Sequence, residues 1–135
     1  MASIYLLDTN ILIAALKGHA PVRDRLEAIP LSSVRLSSIV LGELLFGAEK
    51  SAHSERNRTR LAELTGRLAQ VGVDAATSSH YARIRAVLER AGTPISANDL
   101  WIAAQGLAIE ATLVTDNTRE FQRVPGLLLE NWITG

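Results

Sequence analysis

The chain has 135 residues, 47% of them apolar, with fourteen basic side chains, fourteen acidic ones and no cysteine. That size and apolar content suit a single globular domain over residues 1–135 and exclude a disordered chain. The missing cysteines exclude a disulfide framework, a thiolate nucleophile and a sulfur-ligated metal, and the balanced charge leaves only local clusters to attract nucleic acid.

Ser3 to Leu7 reads as a short apolar strand of the parallel-sheet kind, ending on Asp8. Thr9 or Asn10 caps a helix through about Lys17, stopped by Gly18. Pro21 opens a second helix, with Val22, Leu26 and Ile29 on one face. Residues 32–38 form a short strand, and Ser38 caps a helix over 39–51. A polar helix rich in Arg and Glu runs from about Ser54 to Gln70, and residues 71–74 make a third strand. Residues 78–92 are amphipathic, with Tyr81, Ile84 and Leu88 together and Gly92 as the stop. A further helix covers 96–111, a strand 112–116, a helical turn 117–124 and a last strand 127–132. Strands alternating with helices predict an α/β domain, with a parallel sheet and helices on both faces. No apolar window reaches 18 residues, and no basic region precedes the first apolar run. A cytoplasmic protein is expected.

Five acids stand where a fold alone has little use for them. Asp8 and Asp116 each end an apolar strand, and in open parallel sheets ligands bind outside the carboxyl ends of strands. Either could instead be an ordinary helix cap. Glu43 shares a helical stripe with Ile39, Phe46 and Gly47, on or beside the buried face. Ser96 and Asp99 fit a capping box, yet Asp99 also borders the packed face of Ile102, Ala103 and Gly106. Glu120 lies one helical turn beyond Asp116 and either assists the site or faces solvent. Two like charges about 4 Å apart cost roughly 4 kcal/mol at an effective dielectric near 20. A hard divalent cation offsets that cost, and an oxygen-only donor set suits Mg²⁺ or Mn²⁺. His19, His53 and His80 are scattered and lack zinc-type spacing.

Four blocks carry a resemblance: LLDTN at 6–10, SSIVLGELLFGAEKS at 37–51, ISANDLWIAAQGLA at 95–108 and LVTDNTREFQRVPGLLLENW at 113–132. Together they resemble the PIN-domain nucleases, specifically the VapC toxins of VapBC toxin–antitoxin pairs. The resemblance implies a five-stranded sheet in the order 3-2-1-4-5 and an Mg²⁺- or Mn²⁺-dependent endoribonuclease. It implies Asp8, Glu43, Asp99 and Asp116 as the acidic quartet, with Asp8, Asp99 and Asp116 as metal ligands. Asn10, Thr115 and Asn117 match supporting polar positions, and in some relatives a Glu at the place of Glu120 replaces the fourth acid. The last block is similar to that of enzymes cutting initiator tRNA in its anticodon stem-loop, so tRNA is the expected substrate. A VapB-type antitoxin, a homodimer and a larger toxin–antitoxin assembly are implied partners. Arg119, beside the acids in sequence, is the candidate RNA contact. Three other readings are weighed. A haloacid-dehalogenase-type phosphatase needs an acid two residues after Asp8, where Asn10 stands. A non-catalytic PIN-like binding module tends to lose its acids, and a nuclease acting on DNA shares the same chemistry.

Overall fold

The computed structural model describes residues 3–134; the outermost residues of the expected 1–135 domain lie outside that range. Its strands are β1 (Tyr5–Leu7), β2 (Val34–Ser37), β3 (Ala69–Val71), β4 (Thr112–Val114) and β5 (Leu128–Glu130). All neighbours pair in parallel, in the order β3-β2-β1-β4-β5, as expected from the four blocks. The helices are α1 (Thr9–Leu16), α2 (Ala20–Ala28), α3 (Ser38–Lys50), α4 (Ser54–Thr65), α5 (Ala75–Arg90), α6 (Ala97–Ala108) and the single turn α7 (Thr118–Phe121).

The sheet is short and its centre is dry. Leu6, Leu7, Leu36, Leu113 and Val114 are fully buried, as strands covered on both faces require. Ile11, Leu12, Ile102, Ala103 and Phe121 close over them from the helices. Small side chains let α6 approach closely: a Cβ on Gly106 would sit 3.1 Å from Leu127. Gly18 and Gly92 end their helical segments with φ of 77° and 73°, the left-handed conformation that glycine adopts without strain. Among the described residues no helix is long and apolar enough to cross a membrane.

Several boundaries differ from the sequence reading, each for a local reason. Asp8 itself caps α1, and Ser37 caps α3 by accepting from the Ile39 and Val40 N–H groups. Each helix therefore starts one residue or so early. The polar helix α4 ends at Thr65, and β3 pairs over 69–71 rather than 71–74 because it is in register with Arg35–Ser37. Asp74 caps α5 through the Thr77 N–H, which adds a turn ahead of Ser78. The last strand stops at Glu130, and Trp132 is buried beyond it against Tyr5. The stripe assigned to α3 is also rotated. Val40, Leu44 and Ala48 face the core, while Phe46 is 62% exposed. Glu43 sits at the edge of that buried stripe, half-buried.

Candidate active site

The site grows from the register of β1 and β4. Leu7 pairs with Val114, so the next residues, Asp8 and Thr115, emerge side by side at the carboxyl edge of the sheet. Asp8 is only 6% exposed. Its Oδ1 accepts from the Thr9 N–H at 2.8 Å, and its Oδ2 accepts from the buried Thr115 hydroxyl at 2.8 Å. Asp8 is therefore both a helix cap and a fixed carboxylate, and the two readings of that residue coexist. The Thr9 hydroxyl donates to Glu43 Oε1 at 3.0 Å, which joins α1 to α3.

Asp99 enters on the first turn of α6, where its N–H donates to Ser96 Oγ at 3.3 Å. Burial pushes the Asp99 carboxyl up to about 6, with Asp8 adding the next contribution and Glu120 and Glu43 smaller ones; only the Ser96 hydrogen bond opposes them. Four carboxylates from four elements thus share one electrostatic environment: Asp8, Glu43, Asp99 and Glu120.

Asp116 is not among those neighbours. Successive extended residues point to opposite sides. With Thr115 turned toward Asp8, Asp116 projects outward. It is exposed, and its Oδ1 accepts from Asn131 Nδ2 at 3.1 Å. Glu120, one turn into α7, reaches back instead, held by Asn117 Nδ2 on its Oε2 at 3.0 Å. Of the two candidates for the fourth acid, Glu120 and not Asp116 adds to the field at Asp99, which favours Glu120. Thr115 also accepts from the Asn117 N–H at 3.0 Å, so both residues support the carboxylates. Asn10 is exposed on α1, and among the described residues its side chain makes no hydrogen bond. Arg119 is exposed beside Glu120 and equally unpaired among the described residues. Arg123 donates to the Pro94 carbonyl at 3.4 Å and ties α7 to the loop that leads into α6.

Two supporting groups escaped the sequence reading. Thr9 is the hydroxyl between Asp8 and Glu43. Gln105, fully buried, accepts from Ser37 Oγ and donates to the Val71 and Gly72 carbonyls at 3.0 and 3.1 Å. It binds α6, the start of α3 and the end of β3 together. The legible signal was an amide inside the apolar run WIAAQGLA, where burial requires hydrogen-bond partners.

The donor chemistry fits a hard divalent cation: four carboxylates, with no sulfur and no imidazole beside them. Each hydrogen bond occupies one lone pair of an oxygen and leaves further acceptor capacity on the same carboxylate. As they stand, no three His, Asp or Glu side chains among the described residues are arranged to hold an ion. The Thr115 and Thr9 hydroxyls hold Asp8 and Glu43, and the Asn117 amide holds Glu120. Beside Glu43 a cleft of about 400 Å³ opens between α1, α3 and α4, lined by Ile13, Leu44, Ala48 and Leu61 with Lys17 and Arg60 at its edge.

The Asp99 environment predicts a pH effect on the metal-free protein. A carboxyl held near 6 when folded and near 3.8 when unfolded favours folding only when protonated. Stability is therefore lost as pH rises from about 4 through 6. Two pH units correspond to about 3 kcal/mol at most. Solvent contact and the favourable helix N-terminus reduce this to about 1 kcal/mol. Asp99→Asn should melt higher than wild type at pH 7 without metal, and the gap should shrink steadily toward pH 4. A gap unchanged across that range contradicts the assignment.

Comparison with known proteins identifies the family. The PIN domain matches residues 5–127. The chain is 41% identical to Ribonuclease VapC2 of Rickettsia felis over 131 residues, 96% of this chain and 98% of that protein. It is 40% identical to the tRNA(fMet)-specific endonuclease VapC of Shigella flexneri over 129 residues, 95% and 97% of the two chains. Its fold superposes with a TM-score of 0.91 on a chain of the DNA-bound VapBC structure from Salmonella typhimurium, 37% identical, covering 97% of this chain and 99% of that one. With the family model, the sheet order and near full-length relatives in agreement, the chain belongs to the PIN-domain family, in its VapC group.

Proposed function

We propose that the protein is a divalent-metal-dependent endoribonuclease toxin that hydrolyses RNA phosphodiester bonds and is restrained by a VapB-type antitoxin. The observation that carries this reading is the shared field of four carboxylates, in which Asp8, Glu120 and Glu43 all act on the half-buried Asp99 carboxyl. Asp8, Asp99 and Glu120 would hold Mg²⁺ or Mn²⁺, and Glu43 would orient the attacking water and take up its proton. Such an ion, when bound, would supply a water of lowered pKa and charge compensation at the phosphoryl oxygens. Thr115 and Asn117 keep Asp8 and Glu120 in place, and Arg119, exposed next to Glu120 in the chain, is the candidate cation for the RNA backbone.

Transfer RNA is the favoured substrate, because a 40% identical relative is a tRNA(fMet)-specific endonuclease. The antitoxin reading is supported by the VapBC structures and by the largely apolar cleft next to Glu43. Exposed Leu45 and Phe46 on α3 offer an apolar surface for a homodimer, which we include in the proposal. The setting is the cytoplasm, with residues 1–135 acting as one unit.

Fragment ends test the chemistry. Water attack on phosphorus leaves a 5′-phosphate on the downstream fragment and a 3′-hydroxyl upstream. Attack by the RNA 2′-OH leaves a 2′,3′-cyclic phosphate and a 5′-hydroxyl, and calls for an acid–base pair. His19, His53 and His80 belong to α1–α2, the α3–α4 link and α5, away from the acids in sequence. Mass spectrometry of the cut RNA should show 5′-phosphate and 3′-hydroxyl ends. A cyclic phosphate made by pure protein overturns the mechanism.

A further inference from the structure

We propose that Thr9 is a positioning residue that fixes Glu43 toward Asp8 through its hydroxyl. The proposal rests on the reading of the acids as an RNA-cleaving site. Thr9 holds both carboxylates at once: its N–H lies 2.8 Å from Asp8 Oδ1 and its hydroxyl 3.0 Å from Glu43 Oε1. The two acids come from different elements, 35 positions apart, and among the described residues this is the only side-chain hydrogen bond between α1 and α3.

The need for such a clasp follows from charge. Glu43 adds to the unfavourable field at Asp99 together with Asp8 and Glu120. Mutual repulsion drives a long, flexible Glu side chain outward, into the cleft beside it. A hydroxyl donor to the carboxylate opposes that drift with a charge-assisted bond. Thr suits the task because its β-branch restricts χ1 and keeps the hydroxyl aimed. Capacity on Oε2 and the second lone pair of Oε1 stay open for the reaction. A residue chosen only to start α1 needs none of this, since Asp8 already supplies the cap.

The test combines Thr9→Val, which keeps the shape without the donor, Thr9→Ser, which keeps the donor, Glu43→Ala, and the double variant Thr9→Val with Glu43→Ala. Two readouts are taken: melting temperature of the metal-free proteins, and kcat and KM on RNA with Mg²⁺. Thr9→Val should lower the melting temperature by about 2–4 °C, the shift expected for one lost hydrogen bond in a chain of this size. In the Glu43→Ala background it should cause no further drop. On RNA, Thr9→Val should lower kcat by about 10–100-fold, the range seen when a group orienting an active-site ligand is removed. KM should change little, and Thr9→Ser should restore wild-type turnover. Additive melting shifts overturn the clasp itself. A normal kcat in Thr9→Val, beside a dead Glu43→Ala, overturns the positioning role while the proposed function stands. Wild-type turnover in Glu43→Ala overturns the site reading and this inference with it.

Discussion

Glu120→Gln should abolish RNA cleavage, by about 10²–10³-fold in kcat as for loss of one transition-state-stabilising group, while Asp116→Asn should cleave near the wild-type rate. The strand-end position favours Asp116 as the fourth acid by analogy with Asp8. The side-chain directions favour Glu120 instead. Thr115 takes the inward direction, its hydroxyl on Asp8 Oδ2, and leaves Asp116 to Asn131 at the surface. Glu120 has the longer arm, sits on the first turn of α7 and is steadied by Asn117. Only Glu120 of the two contributes to the field at Asp99. Gln keeps the length and the hydrogen bond to Asn117 but not the charge, so folding should be spared. Matched melting temperatures for both variants make the kinetic contrast interpretable. Loss of activity in Asp116→Asn with a competent Glu120→Gln contradicts the placement.

The sheet was legible because its strands are short apolar runs that end on polar residues, and the helices because Gly18 and Gly92 terminate them with positive φ. Asp8, Glu43 and Asp99 stand out in the sequence for a physical reason as well: each interrupts an apolar pattern where a carboxylate costs energy. Direction was not legible. Asp116 or Glu120 is decided by which of two consecutive residues faces the sheet edge, a rotation that apolar spacing near a strand end does not encode. The same holds for α3, where Phe46 shares a helical stripe with Glu43 in sequence yet points to solvent, because the core stripe is set by Val40, Leu44 and Ala48. Thr9 and Gln105 were hidden differently. Their roles exist only through partners 33 to 68 positions away, and neither local propensity nor periodicity carries that information. Ser37 replaced Ser38 as a cap because Ser37 completes β2 and turns its hydroxyl under α3, a choice made by strand pairing.

If the acids hold a divalent cation that RNA hydrolysis requires, cleavage depends on that ion. Purified protein is incubated with end-labelled tRNA in EDTA, then after Mg²⁺ or Mn²⁺ is restored, with Asp8→Asn prepared in parallel to expose any contaminating ribonuclease. Asp8→Asn keeps a capping side chain at the start of α1, so it should stay folded. The account predicts no detectable cleavage in chelator, a gain of at least about 10³-fold on adding the ion, and no cleavage by Asp8→Asn under either condition. Full cleavage in chelator by wild type, absent from the Asp8→Asn preparation, would contradict it.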